Sequence, residues 1–329
     1  MAEKRALVIG VTGQDGHYLS KILLEMNYMV YGLTRRSSCN NLYRILDFLN
    51  NKNFELIYGD VTDQSSIINA INISNPDEIY NLAAMSFVGE SWNQPVLTLN
   101  ATGLGCLNCL EAIKKTNKNI KYYFASSSEQ FGKVLETPQK ETTPFYPKSP
   151  YGAAKVYGYN ITRNYRESYG MFAVSGICFN HESKYRGLEF VTRKISNGVA
   201  RIYHKLDNKI VLGNLDVERD WGHSQDYCYA MFLMLQSEEP DDYVLATGET
   251  HTILDFVKES FSIINIDNYM DYIVQDEKFM RPSEVYTLCG DSTKAKNNLG
   301  WEPKIKFNDI VKEMVLNDID LLGKGGSYE

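Results

Sequence analysis

This sequence has no basic excess: 34 Lys and Arg stand against 41 Asp and Glu, for a formal net charge of -7 over 329 residues. Such a balance offers no electropositive footprint for nucleic acid or for an acidic lipid surface, so an anionic ligand must be held by a few local Arg and Lys side chains. No run approaches the ~18 apolar residues of a membrane span. The opening Met1-Ala-Glu-Lys-Arg5 lacks the apolar core of a secretion signal. There is no internal repeat and no low-complexity linker. Cysteine is sparse, at positions 39, 106, 109, 178, 228 and 289, which points to reduced thiols and a cytoplasmic location. Cys106 and Cys109 form a C-x-x-C, but inside the helical apolar pattern Gly105 to Ile113 and without a second ligand pair. Core packing is the expectation there, and no metal is expected.

What remains is an ordinary globular composition, 43% hydrophobic and 23% charged, long enough for one large core or two domains. Arg5 to Gly10 reads as a buried strand that breaks into Gly10-Val-Thr12-Gly13-Gln14-Asp15-Gly16 before a helix from His17 to Met26. Glycines between a strand and a helix let backbone approach a pyrophosphate at the helix N-terminus, which makes these residues candidate dinucleotide ligands. The second strand, Tyr28 to Leu33, ends in Thr34-Arg35-Arg36 rather than in an acid. Two arginines suit a ribose 2′-phosphate, so NADP is favoured over NAD.

Strands and helices keep alternating: strand Phe54 to Tyr58 ends in Gly59-Asp60-Val61, a helix runs from Gln64 to Ile73, a strand from Glu78 to Ala84, and largely helical chain from Trp92 to Lys115. That order implies right-handed crossovers and an α/β, Rossmann-type doubly wound parallel sheet, with ligands at the carboxyl ends of the strands. Asp60 and Val61 would meet the adenine, and Leu82, Ala83 and Ala84 are small enough to let the cofactor pass. The next strand, Lys121 to Ser126, runs into Ser127-Ser128-Glu129. After a polar loop, Ser149 and Pro150 read as N-cap and first turn of a helix reaching about Tyr169, which sets Tyr151 and Lys155 on one face. An ammonium one turn from a phenol favours the phenolate, so the pair is a candidate proton-transfer centre. Met171 to Cys178 is a further buried strand. From Phe179 the pattern turns mixed and short, with a helix at Leu254 to Ile264 and a last one from Asn308 to about Leu321. The domains are thus expected at 1–178, a dinucleotide-binding unit to which part of the later chain returns, and 179–329, a smaller mixed α/β lobe collecting substrate contacts.

Gly10-x-x-Gly13-x-x-Gly16 with Tyr151-x-x-x-Lys155 resembles the extended short-chain dehydrogenases/reductases. Arg35-Arg-Ser-Ser38, Lys140-Glu-Thr-Thr-Pro-Phe-Tyr-Pro147, Asn164-Tyr-Arg-Glu-Ser-Tyr-Gly170, Phe179-Asn-His-Glu-Ser183, Phe190-Val-Thr-Arg-Lys194 and Arg219-Asp-Trp-Gly-His223 narrow the resemblance to the GDP-mannose 4,6-dehydratase family. The resemblance implies a tightly bound, recycled NADP that moves hydride from the sugar C4 to C6, with Tyr151 and Lys155 as the hydride-transfer pair and Glu129 as the acid/base for loss of water. It puts Ser127, where the family usually has Thr, on the 4-oxygen, and adds Ser86 and Ser128 near cofactor and sugar. Asn180, Val191, Lys194, Arg219, Arg281 and Glu284 would hold the GDP. It further implies a homotetramer, or a dimer, in which the Arg35 to Asn41 loop reaches a neighbour's cofactor. Two departures stand out: Phe87 where the family tends to have His, and Lys184-Tyr185 for a usual Pro-Arg near the expected subunit contact. Three alternatives stay open: a reductase or epimerase of the same fold, a dehydratase for a related GDP-sugar such as a GDP-heptose, and a cofactor-sensing regulator.

Overall fold

The computed structural model describes residues 4–38, 41–279, 285 and 287–325. In chain order the first part carries β1 (Arg5–Ile9), α1 (Gln14–Glu25), β2 (Met29–Thr34), β3 (Phe54–Tyr58), α2 (Gln64–Ser74) and β4 (Glu78–Asn81). Then come α3 (Pro95–Thr98), which passes through a π-helical turn at Leu99–Leu104 into α4 (Gly105–Thr116), and β5 (Lys121–Ser127), α5 (Pro150–Tyr169) and β6 (Ala173–Cys178). The later chain supplies β7 (Asn180–Glu182), α6 (Val191–Tyr203), β8 (Ile210–Leu212), β9 (Glu218–Arg219), β10 (Trp221–His223), α7 (Ser224–Gln236) and β11 (Tyr243–Leu245). It ends in β12 (His251–Thr252), α8 (Ile253–Ser262), β13 (Ile273–Gln275), β14 (Thr287–Leu288), α9 (Thr293–Leu299) and α10 (Phe307–Gly323).

Seven strands form one parallel sheet in the order β11-β6-β5-β4-β1-β2-β3. Strand β1 shows why the order is stable. Ala6 and Val8 point into one apolar layer with Tyr18, Leu19 and Met231, while Leu7 and Ile9 point into the opposite layer with Ile67, Leu110 and Ile113. A strand buried on both faces reads as a continuous apolar run, and full burial of each such side chain contributes about 1.5–3 kcal/mol. A third apolar cluster around Val199, Trp221, Phe256, Phe307 and Met314 holds the second, mixed lobe together. Small sheets of two and three strands serve that lobe: β7 with β10, β8 with β13, and β9 between β12 and β14.

Several expectations need correction. The later chain is not uniformly short-element: α6 and α7 are 13 residues each. Helix α7 buries Tyr227, Cys228, Ala230, Met231, Met234 and Leu235, so it lacks the polar stripe that marks a surface helix. Helix α1 starts at Gln14, three residues before the expected His17. Strand β4 stops at Asn81 rather than Ala84, since the chain must leave the sheet beside Gly10. Pro95–Thr116 is long and apolar enough, by length and composition, to cross a membrane, and half of it is buried inside the fold. Cys106 there packs against Gly158 and Thr162.

Candidate active site

At the carboxyl ends of β1, β4, β5 and β6 lies a cavity of about 1000 Å³. Gly10 turns the chain out of β1 at φ +86°, and a Cβ there would stand 3.0 Å from the Ala83 backbone nitrogen. Only glycine combines that conformation with so close an approach. Beside it the N-terminus of α1, headed by Gly13, opens into the cavity without a side-chain cap. Uncapped N–H groups at the positive end of a helix suit a phosphate, so the end of β1 with the start of α1 fits a dinucleotide diphosphate, while the ends of β2 and β3 (Arg35, Arg36, Asp60, Val61) do not line this cavity. Gly13, Gln14, Asp15 and Gly16 line the cavity here, as do Leu82, Ala84 and Ser86. Ala83 does not line the cavity; its backbone packs against Gly10. Thr12 faces Thr34 across 3.3 Å. Arg35 and Arg36 are exposed at the end of β2. Asp60 accepts from Thr62, and the Val61 carbonyl from Asn108, at the end of β3.

Helix α5 brings the next group. The Ser149 hydroxyl accepts from the Gly152 N–H at 3.0 Å and caps the helix, with Pro150 at its first position. Gly152 lets this first turn sit on Glu129, since a Cβ there would be 2.6 Å from the Glu129 carbonyl oxygen. Tyr151 and Lys155 are buried on the same face, with the Lys155 nitrogen 5.5 Å from the Tyr151 ring centre. Lys155 Nζ donates to the Ala125 carbonyl of β5, and burial brings its pKa down to about 8. Burial also raises the Tyr151 phenol above its ordinary value; a hydrogen bond with Ser127 pulls it down, the Glu129 charge pushes it up, and Arg186 pulls it down. Ser127 caps the turn Ser128–Gln130, its hydroxyl accepting from the Glu129 N–H. Ser127, Ser128 and Glu129 line the cavity, and the Ser128 and Glu129 side chains are buried. The arrangement presents a phenol, an ammonium, a hydroxyl and a carboxyl group to one space, which suits proton removal at two neighbouring atoms of a ligand.

The second lobe closes the far side. Asn180 of β7, Val191 and Lys194 of the first turn of α6, and Arg219 of β9 all line the cavity. Arg219 is anchored by its donation to the Glu218 and Val285 carbonyls. Lys194 Nζ lies 3.5 Å from the centre of the Phe279 ring, and burial, then the neighbouring Lys278 charge, lower its pKa. Arg281 and Glu284 fall outside the described residues.

Of the lining residues that were not among the expected ones, five carry charge or shape the wall: Arg44, His181, Arg186, Phe190 and Lys278. Arg44 donates to the carbonyls of Thr12 and Tyr185. His181, within the motif that pointed only to Asn180, and Arg186, just beyond it, also line the cavity. Phe190 packs edge-to-face with Phe87 at 5.6 Å, with the Arg186 guanidinium over its ring. Lys278 joins Lys194 at the cleft rim and pairs with Asp276 at 3.0 Å. The Lys184-Tyr185 departure turns inward: the Tyr185 ring is 4.2 Å from that of His17. Among the described residues no group of three or more His, Cys, Asp or Glu is placed to hold a metal ion.

A family model described as GDP-mannose 4,6 dehydratase matches residues 7–314. The chain is similar to a human GDP-mannose 4,6 dehydratase, 48% identical with 96% of this chain and 92% of that protein covered. It is similar as well to that of Dictyostelium discoideum, 46% identical with both chains fully covered, and to that of Vibrio cholerae, 43% identical over 96% and 94%. Among solved structures, a dTDP-glucose 4,6-dehydratase from Streptomyces venezuelae with NAD bound superposes with a TM-score of 0.86 at 21% identity, over 97% of this chain and 98% of that one.

Proposed function

The chain belongs to the GDP-mannose 4,6-dehydratase family, and from that premise we propose how its residues divide the work. The reaction converts GDP-D-mannose to GDP-4-keto-6-deoxy-D-mannose and water. A nicotinamide dinucleotide in the cleft, NADP on this reading, would supply the hydride chemistry that links C4 and C6. Gly10, Gly13 and the first turn of α1 would hold its diphosphate, Asp60 and Val61 its adenine side, and Arg35 and Arg36 its 2′-phosphate.

Tyr151 takes the proton of the sugar 4-hydroxyl, with Lys155 favouring the phenolate and Ser127 hydrogen-bonded to the 4-oxygen. A ketone at C4 acidifies C5, and Glu129 removes the C5 proton and delivers it to the departing C6 hydroxyl. Tyr151 then gives its proton to C5, which balances the reaction with one water lost. Asn180, Val191, Lys194 and Arg219 would hold the GDP, with Arg281 and Glu284, and Lys278 adds a further cation for the diphosphate. The observation that carries this reading is the convergence of Tyr151, Lys155, Ser127 and Glu129 on one cavity. A reductase of the same fold has no use for the buried carboxyl group.

The finer points are proposals too. Residues 1–178 with the returning α7 and β11 bind cofactor, and the rest of 179–329 binds the nucleotide sugar. The protein works in the cytoplasm as a homotetramer, or a dimer, a reading supported by exposed Val96, Leu97, Leu99 and Leu104 along one helical segment. The Phe87–Phe190 wall is apolar, which favours a second reading in which the sugar is a related one such as a heptose.

The test is incubation with GDP-mannose in deuterated water, followed by mass spectrometry. Loss of one water with one deuterium fixed at C5 is expected. Stoichiometric consumption of reduced cofactor would indicate a reductase instead, and turnover of GDP-heptose alone would establish the second reading.

A further inference from the structure

The first turn of α1 contains an oddity. Asp15 sets a carboxylate at the helix end that faces the cavity, where a dinucleotide diphosphate would sit. Two anions at the same helix N-terminus compete for its positive end. The answer lies across the cleft in β7. His181 Nε2 is 2.8 Å from Asp15 Oδ2, and His181 Nδ1 is 2.7 Å from the Phe179 carbonyl oxygen. Both ring nitrogens therefore face acceptors. A neutral imidazole has one N–H and one lone pair, so it can satisfy only one of them; the imidazolium donates to both.

Other groups around the ring agree. Tyr227 of α7 stacks on it at 4.8 Å, and its phenol is held neutral by burial. The thiols of Cys178 and Cys228 are likewise raised by burial and stay uncharged. Burial, and after it the Arg186 guanidinium, oppose the charge on His181, and the Asp15 contact outweighs both to leave its pKa raised. Asp15 falls to about 2: burial works against its charge, and His181 and Ser224 overcome it. Gln14 adds a second stitch, donating to the His181 carbonyl at 3.0 Å and accepting from Ser183 at 2.8 Å.

We infer that His181 is held as an imidazolium that covers the Asp15 charge beside the cofactor diphosphate, a positioning residue that joins the phosphate-binding turn to the substrate lobe. The role in cofactor binding rests on the dinucleotide reading above; the charge state does not.

Two measurements decide it. Nitrogen NMR of histidine-labelled protein, with His181 assigned from the His181→Gln variant or from its coupling to neighbouring residues, should show both ring nitrogens protonated at pH 7. A neutral tautomer there overturns the proposal. NADPH fluorescence titration should then show about tenfold weaker binding for His181→Gln, the size of one uncovered charge at several ångströms. In Asp15→Asn/His181→Gln most of that affinity should return, because no charge is left to cover. A double variant as weak as, or weaker than, His181→Gln overturns the proposal in favour of simple packing. Wild-type affinity should fall as the pH climbs through the raised pKa of His181, above the ordinary histidine value of ~6.5, while His181→Gln stays flat over the same window. Absence of NADPH binding at every pH would sink the cofactor reading, and the nitrogen spectrum would still decide the charge on His181.

Discussion

Tyr151 and Glu129 are asked to move different protons, so their removal should fail differently. Tyr151→Phe should lower kcat by about 10²–10⁴-fold with KM little changed, the range for loss of a positioned proton-transfer group. Glu129→Gln should lower kcat by a comparable factor and also abolish deuterium uptake at C5, read by mass spectrometry. Deuterium uptake in Glu129→Gln at the wild-type rate would remove Glu129 from that step. Lys155 carries a pH dependence whose two signs are opposed. Its folded pKa of about 8 lies below the ordinary ~10.4 of an unfolded chain, so the charge that favours the phenolate is lost above about pH 8 and kcat should decline there. Between those values the unfolded chain binds the extra proton, so this group makes the fold more stable, not less, as pH rises. A kcat profile beside a thermal midpoint series separates the two; a parallel fall of both would mean general unfolding. That Tyr151, Lys155, Ser127 and Glu129 share one cavity was legible because short spacings within a helix turn or at a strand end set them, while the work proposed for Ser127 and Glu129 came with the family resemblance. His181, Arg186 and Lys278 were not, because their roles depend on contacts between segments far apart in sequence, such as His181 with Asp15.

At the scale of elements, β9 is held in place by its neighbour Asp220. The buried Asp220 carboxylate accepts from the Thr247 N–H at 2.8 Å, the Thr247 hydroxyl at 2.6 Å, the Gly248 N–H at 2.9 Å and the Gly290 N–H at 3.2 Å. Asp220→Ala leaves several buried donors unmatched, each worth about 1–3 kcal/mol before relaxation, so a net loss of about 2–4 kcal/mol is expected in chemical denaturation. Because Arg219 is the adjacent residue, KM for the GDP-sugar should rise in the same variant while kcat holds. A variant with wild-type stability would show that the four contacts are not formed. Helix boundaries were legible where the chain marks them: Ser149 and Pro150 start α5, and Gly170 at φ +64° ends it, as a left-handed C-terminal residue should. Helix α6 has no side-chain cap, and α7 is capped by His223, whose ring nitrogen accepts from the Gln225 N–H, a residue that does not announce a helix start in sequence. Arg193 and Ser196 of α6 are turned inward onto Asp318 of α10, a contact between segments far apart in sequence, and α7 is apolar nearly all round.

Across the whole molecule, the sheet order follows from alternation of strands with helices, and the chemistry follows from the sheet order: β1, β4, β5 and β6 are neighbours, so their carboxyl ends share one cleft. What the alternation could not show is which helix faces remain uncovered. Val96 is 70% exposed, with Leu97, Leu99 and Leu104 each more than a third exposed on the same helical segment. These side chains sit in the stretch that passes for a membrane span by composition, yet its other half is already inside the core. If the homotetramer or dimer we propose is built on this face, Val96→Asp should dissociate it, because burying an unpaired carboxylate in a contact costs several kcal/mol. The monomer itself should barely notice, since a substitution at so exposed a site changes stability by within about 0.5 kcal/mol. Sedimentation velocity at micromolar protein should therefore show the larger species for wild type and a smaller one for Val96→Asp, with the thermal midpoint extrapolated to low concentration unchanged. Wild-type sedimentation of Val96→Asp would place the subunit contact on another face, and a monomeric wild type would remove the assembly altogether.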